Sequence, residues 1–185
     1  MIQEQIVSFI EWNRNRGCEA KLVYEAVDYP TKELQSIPVP DVLTQRYTTL
    51  PVSFSTWLQL VQIVVAPHGQ AWFLTANDYR EHSSASISEQ EAAFDWNEWE
   101  HMSLEAAADD ADWQQQIRTF WDRYVPIVMI VQPEYAFYAI DTHSPDGAVI
   151  YGREPEFEES DEIAASFEEF LQGIMDGTLK WYSQV

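Results

Sequence analysis

Apolar residues at Ile2, Ile6, Phe9 and Ile10 recur at helical spacing, and the pattern runs on to Asn13. With Gly17 as a stop, the pattern predicts a first helix over about residues 2–15. Lys21–Asp28 is short, mixed and bounded by Pro30, which reads as a strand, and Pro38 and Pro40 mark a loop. Phe54, Trp57, Leu58 and Val61 again match helical spacing after Leu50-Pro51, with Ser53 as the expected N-cap and an end near Ala66-Pro67. The β-branched run Ile63-Val64-Val65 supports a competing strand there. His68-Gly69-Gln70 reads as a turn and Ala71–Thr75 as a strand.

Residues 77–111 are polar, acidic and weakly periodic, with Ser83–Ser86 as an expected loop tip. Asp112 is the expected cap of a helix whose stripe is Trp113, Ile117, Phe120 and Trp121. Acids at 109, 110 and 112 sit at its positive end, where negative charge is stabilising.

Val125–Val131 is apolar on both faces, so it predicts a central strand covered on both sides. Tyr135–Asp141 follows the Gln132-Pro133-Glu134 turn as a second strand. Ser144-Pro145-Asp146-Gly147 turns the chain into a third at Ala148–Tyr151. The result is an antiparallel meander. An acidic loop over 154–161 leads to a stripe at Ile163, Phe167, Phe170, Leu171 and Ile174. Ser160 or Asp161 is its expected cap and Gly177 its end. Leu179–Tyr182 reads as a short edge strand. Helices at both ends with a meander between them predict one α+β domain over 1–185, its central sheet mostly antiparallel, with an acidic insert at about 77–111.

Charge narrows the function classes. The chain carries 10 Lys and Arg against 31 Asp and Glu, a net −21. Residues 1–60 hold 7 acids and 5 bases, whereas residues 61–185 hold 24 acids and 5 bases. Phosphate backbones and anionic membranes require clustered cations, so neither is an expected partner. The 26 Trp, Tyr and Phe residues argue against disorder. The acidic excess reads either as a solvated face or as a docking face for a basic protein.

Chemistry is sparse. No phosphate-binding glycine loop, nucleophile elbow or H-E-x-x-H occurs, and His68, His82, His101 and His143 are scattered. Asp141, His143 and Asp146 could offer metal ligands, but the same residues make an ordinary hairpin turn, the preferred reading. No catalytic residue, metal site or cofactor is expected. Cys18 stands alone, which excludes an intrachain disulfide, and it is expected as a small buried residue rather than a reactive thiol. The chain start predicts no secretory signal, and the longest apolar run, 125–131, is too short to span a bilayer as a helix, so a cytoplasmic location is expected. Trp96 and Trp99 lie among Asp95, Glu98 and Glu100. Two readings stand: rings buried beneath an irregular loop, or aromatic anchors inside an acidic rim.

Tyr124-Val-Pro-Ile127, Tyr138-Ala-Ile-Asp141, Asp146-Gly-Ala-Val149 and Ala164-Ala-Ser-Phe-Glu-Glu-Phe-Leu171 together resemble the SUKH superfamily pattern. Leu50-Pro51 before an aromatic is similar to its entry, and Trp113–Trp121 looks like the helix before its central strand. Pro67-His68-Gly69 departs from the Asn-Gly pair the family often has, and segment 77–111 lies outside the pattern. That superfamily includes fungal cell-wall assembly regulators and bacterial toxin-immunity proteins. The resemblance implies an α+β, non-enzymatic binding module that neutralises a toxin such as a nuclease or deaminase. Charge complementarity to a basic toxin domain nominates Trp96, Glu98, Trp99, Asp109, Asp110, Glu154, Glu156, Glu158 and Glu159 as partner-binding residues. A regulatory scaffold for a cellular protein is the alternative, and a metal-dependent enzyme a more distant one.

Overall fold

A computed structural model describes residues 1–25, 37–80 and 94–183. Among the described residues every strand pairs with its neighbour in sequence, so seven strands form one antiparallel sheet in the order β1 to β7. They are β1 (Glu19–Leu22), β2 (Val61–Val65), β3 (Ala71–Phe73), β4 (Tyr124–Ile130), β5 (Ala136–Asp141), β6 (Val149–Arg153) and β7 (Ser160–Ala164). The helices are α1 (Ile2–Arg14), α2 (Asp41–Arg46), α3 (Val52–Leu60), α4 (Glu98–Ala106), α5 (Ala111–Trp121) and α6 (Phe167–Asp176). The α+β expectation, with helices at both ends, holds.

Period-two alternation divides the sheet into two faces. Phe73 pairs with Val128 and Val128 with Tyr138, which places these three side chains on one face. There Phe73 packs on Phe9 of α1 at 5.2 Å, on Trp57 of α3 at 5.0 Å and on Phe170 of α6 at 6.1 Å. Tyr138 meets the same Phe170 ring at 4.9 Å. Polar ends of the large rings find backbone acceptors: Trp57 Nε1 donates to Leu74 O and Trp12 Nε1 to Met175 O, both at 3.0 Å.

Trp72, Met129, Phe137 and Gly152 lie in register on the opposite face. It is covered by α4 and α5, through Trp121 on Phe137 at 4.9 Å. Gly152 is required by this packing, because a Cβ there would stand 2.5 Å from the Phe137 ring and 2.6 Å from the Phe157 carbonyl oxygen. β4 and β5 are therefore covered on both sides, and Val125–Ile130 and Ala136–Asp141 are buried without a break.

Several element boundaries differ from expectation. The helix expected to run to Ala66 stops at Leu60, and the chain enters β2 directly. The competing strand wins because Val61, Ile63, Val64 and Val65 suit a ladder between β1 and β3. Pro51, not Ser53, occupies the N-cap of α3. Asp110, not Asp112, caps α5 by accepting from Trp113 N at 2.9 Å. Trp113 itself is 44% exposed, so the α5 stripe is core only from Ile117 onward.

The last helix begins at Phe167, where Ser166 Oγ accepts from Glu169 N at 3.1 Å, so neither Ser160 nor Asp161 is its cap. Ile163 sits one helical turn before Phe167 in sequence yet belongs to β7. Leu179–Tyr182 forms no strand. Trp181 and Tyr182 are buried, and the Lys180 carbonyl accepts from Tyr138 Oη at 2.6 Å. Ser83–Ser86, His82 and the end of the expected 21–28 strand lie outside the described residues.

Candidate partner-binding surface

The structure treats the two tryptophans of the acidic segment differently. Trp99, in the first turn of α4, is 1% exposed. It stacks on Tyr135 at 4.9 Å and on Phe157 at 5.2 Å, with Phe94 at 5.6 Å. A ring so enclosed touches no partner in this conformation; burial is the reading that holds, and Trp99 is the plug that seats α4 on the sheet. Trp96 is half-buried, lies 5.5 Å from Tyr79, and has the Arg46 guanidinium 5.8 Å from its ring centre.

The Trp99–Phe157 stack joins the start of α4 to the loop 154–159. The end of α5 reaches the same loop, where Trp121 Nε1 donates to Glu158 Oε1 at 2.7 Å. Glu98 adjoins Trp99 in sequence and Glu154, Glu156, Glu158 and Glu159 flank Phe157, so these aromatic contacts join the two acidic segments. Glu154 also accepts from Tyr135 N at 3.0 Å, which fixes the loop's start. Asp109 and Asp110 are not part of this group. They sit in the α4–α5 turn, and the nine residues of α4 span about 13 Å.

Three arginines pair with acids elsewhere. Arg46 makes a bidentate contact with Glu100 at 2.7 and 2.8 Å and reaches Asp122 at 3.0 Å. Burial works against the Arg46 cation, but its hydrogen bonds to Glu100 outweigh that and raise its pKa. Arg123 holds Asp141 with bonds of 2.9 and 2.5 Å. Burial pushes the Asp141 carboxyl up, and the Arg123 bonds with the His143 amide more than reverse it, leaving its pKa below the ordinary value. Asp141 and His143 thus form a hairpin corner, closed by Gly147 at φ +70°. Arg153 pairs with Glu134 at 3.2 Å. By contrast, Glu98, Asp109, Asp110, Glu154, Glu156, Glu158 and Glu159 form no ion pair with a described residue.

Sequence reasoning missed Arg46. Its signal is faint, since a lone Arg before Tyr47 gives no hint of a carboxylate 54 residues away. Asp95, Glu98 and His101 each bring a ligand atom within 4.8 Å of the others, but Asp95 and His101 are exposed and Glu98 only half-buried, as in any solvated acidic cluster. Cys18 is buried, and desolvation raises its thiol pKa, against weaker opposing effects of a hydrogen bond to Tyr182 and the nearby Arg16 charge. Among the described residues no helix is long and apolar enough to cross a membrane.

The family model described as SMI1 / KNR4 family (SUKH-1) matches residues 48–173, from the approach to α3 into α6. The chain belongs to that family. The match runs through the acidic segment as well as the meander. No curated protein and no solved structure matches the chain.

Proposed function

We propose that this SUKH-1 protein is a non-enzymatic binding module of the immunity type, which neutralises a basic toxin domain by direct contact through its acidic face. SUKH-1 membership supports a protein-binding role in the coarse sense. The observation that carries the finer reading is the sorting of charge. Acids that stabilise the fold, Glu100 and Asp141, are matched to arginines, whereas those around the α4 start and the 154–159 loop have no counter-ion among the described residues. A nuclease or deaminase domain, built to hold an anionic substrate, supplies the missing cations and is drawn in by the long-range field.

In this reading Trp96 is the aromatic contact; Glu98, Glu154, Glu156, Glu158 and Glu159 form the principal acidic rim; Asp109 and Asp110 extend it along α4. Trp99 supports them from beneath. No group need donate a proton or hold a metal, and the working location is the cytoplasm, where a toxin domain meets its target.

The test uses the protein as bait in extract of its native cells, at low and high salt. Recovery of a basic nuclease-like or deaminase-like domain, weakened by salt, is expected. Replacing Glu154, Glu156, Glu158 and Glu159 together by Lys should abolish that recovery. Undiminished capture by the quadruple variant removes the loop from the interface, and capture of an ordinary cellular protein moves the reading to a regulatory scaffold.

A further inference from the structure

The sheet ends at β7. Of its five residues, Ser160, Asp161, Glu162 and Ala164 pair with β6 on one side only, the register shifting at Ile163, and no backbone hydrogen bond from a described residue reaches the other side. Such an edge is a row of unpaired N–H and C=O groups, a template for another strand. Asp161 lies opposite Tyr151 and Glu162 opposite Ile150, so consecutive acids point to the two faces of the sheet, and both are exposed. Acids also stand at either end of the strand. Residues 154–179 contain nine acids (Glu154, Glu156, Glu158, Glu159, Asp161, Glu162, Glu168, Glu169 and Asp176) and no Lys or Arg.

This decoration discriminates among occupants. A second copy pairing edge to edge would set Asp161 and Glu162 against their own kind, and like charges across a strand pair are destabilising. A strand carrying Lys or Arg meets the opposite situation, with attraction on both faces and backbone bonds between. We infer that the β7 edge accepts an extended, Lys- or Arg-bearing strand of a protein partner, adding an eighth strand to the sheet. This rests on the acidic-face reading and names how the partner would be held. The loop 154–159 runs directly into β7, so a partner gripping one is delivered to the other.

The test is amide hydrogen exchange on the full chain with a defined probe, a disulfide-closed β-hairpin whose free strand reads Lys-Val-Lys-Val-Lys. A hairpin reading Glu-Val-Glu-Val-Glu is the control. The outward-facing amides of β7 should exchange about ten-fold more slowly or better with the basic hairpin, and the effect should vanish at high salt. Asp161→Pro and Glu162→Pro each remove one N–H, on opposite phases of the strand. The variant whose N–H faces outward should keep its thermal midpoint and lose hairpin binding by ten-fold or more.

Absence of slowing within 160–164, or equal slowing with the acidic hairpin, overturns the inference. Slowing confined to α4 and residues 154–159 overturns edge pairing while leaving the acidic face as the interface. Slowing of β7 by the hairpin, with no basic protein recovered from extract, upholds the edge as an acceptor of basic strands and sinks toxin neutralisation instead.

Discussion

Replacing Arg46 by methionine probes how the candidate surface is held in place. Arg46 ends α2, and its partner Glu100 lies within α4, so one bidentate contact ties the two helices together. The Glu100 side chain is 9% exposed and that of Arg46 is 21% exposed. Removing the guanidinium leaves a nearly dry carboxylate with no partner, and breaking a fully buried pair in this way costs about 3–5 kcal/mol. Arg46 keeps some contact with water, which lowers that figure. The second bond adds little, because the Asp122 side chain is 62% exposed and exposed pairs contribute about 0–1 kcal/mol. Loss of the cation near the Tyr47 and Trp96 rings, at 5.7 and 5.8 Å, adds about 0.5–1 kcal/mol. The expected destabilisation for Arg46→Met is therefore about 2–4 kcal/mol.

Urea unfolding followed by tryptophan fluorescence measures it, with an unchanged slope as the check on two-state behaviour. The double variant Arg46→Met, Glu100→Gln should be more stable than Arg46→Met alone, since the uncompensated charge is gone, and the cycle isolates the coupling. If Arg46→Met costs less than about 1 kcal/mol, the pair is worth no more than an exposed one, and Trp99 alone seats α4. If the cost is large but the double variant gains nothing back, the loss comes from packing of the arginine stem rather than from the stranded carboxylate.

The two tryptophans should separate cleanly. Trp99→Ala should cost about 3–5 kcal/mol in the same urea assay. Trp96→Ala should cost about 1 kcal/mol in stability but weaken titrated partner binding by about 2–4 kcal/mol. Reversed outcomes would make Trp99 the contact and Trp96 the structural ring. Asp141 has its pKa lowered in the folded state. Its contribution to stability is therefore complete above the ordinary carboxyl value of about 3.9 and is lost as pH falls through the lowered folded value. Asp141→Asn should accordingly flatten the acid limb of a pH-stability curve, and an unchanged limb would show that the Arg123 pair contributes nothing there. Cys18, buried with a raised thiol pKa, should react with a disulfide reagent at pH 8 at least about 100-fold more slowly in the native protein than in urea, and equal rates would contradict its placement.

The meander was legible because β4 and β5 are buried on both faces, and burial of that kind writes a continuous apolar run between turn residues. The errors cluster where one residue satisfies two periodicities. Val61 fits the α3 spacing and is also the first residue of β2, and only the ladder to β1 decides between them. Ile163 stands four residues before Phe167 and so extends the α6 stripe on paper, while its neighbours Asp161 and Glu162 are tolerable because they decorate an edge. An edge strand is the element that sequence patterning reports worst, since its outer groups face water and its side chains need not alternate.

The candidate surface was legible only as composition. Acids around Trp96 and Trp99 were visible in the sequence, but which acids are already neutralised depends on contacts across long separations, such as Arg46 to Glu100 and Arg123 to Asp141. Those contacts alter the meaning of the net charge. An arginine that satisfies an internal carboxylate cannot also screen the outer face, so the two arginines that hold the fold leave the acids around β7 and its leading loop without an ion pair among the described residues. The same allocation that stabilises the domain therefore creates its field, and mutations that free an internal arginine should weaken both at once.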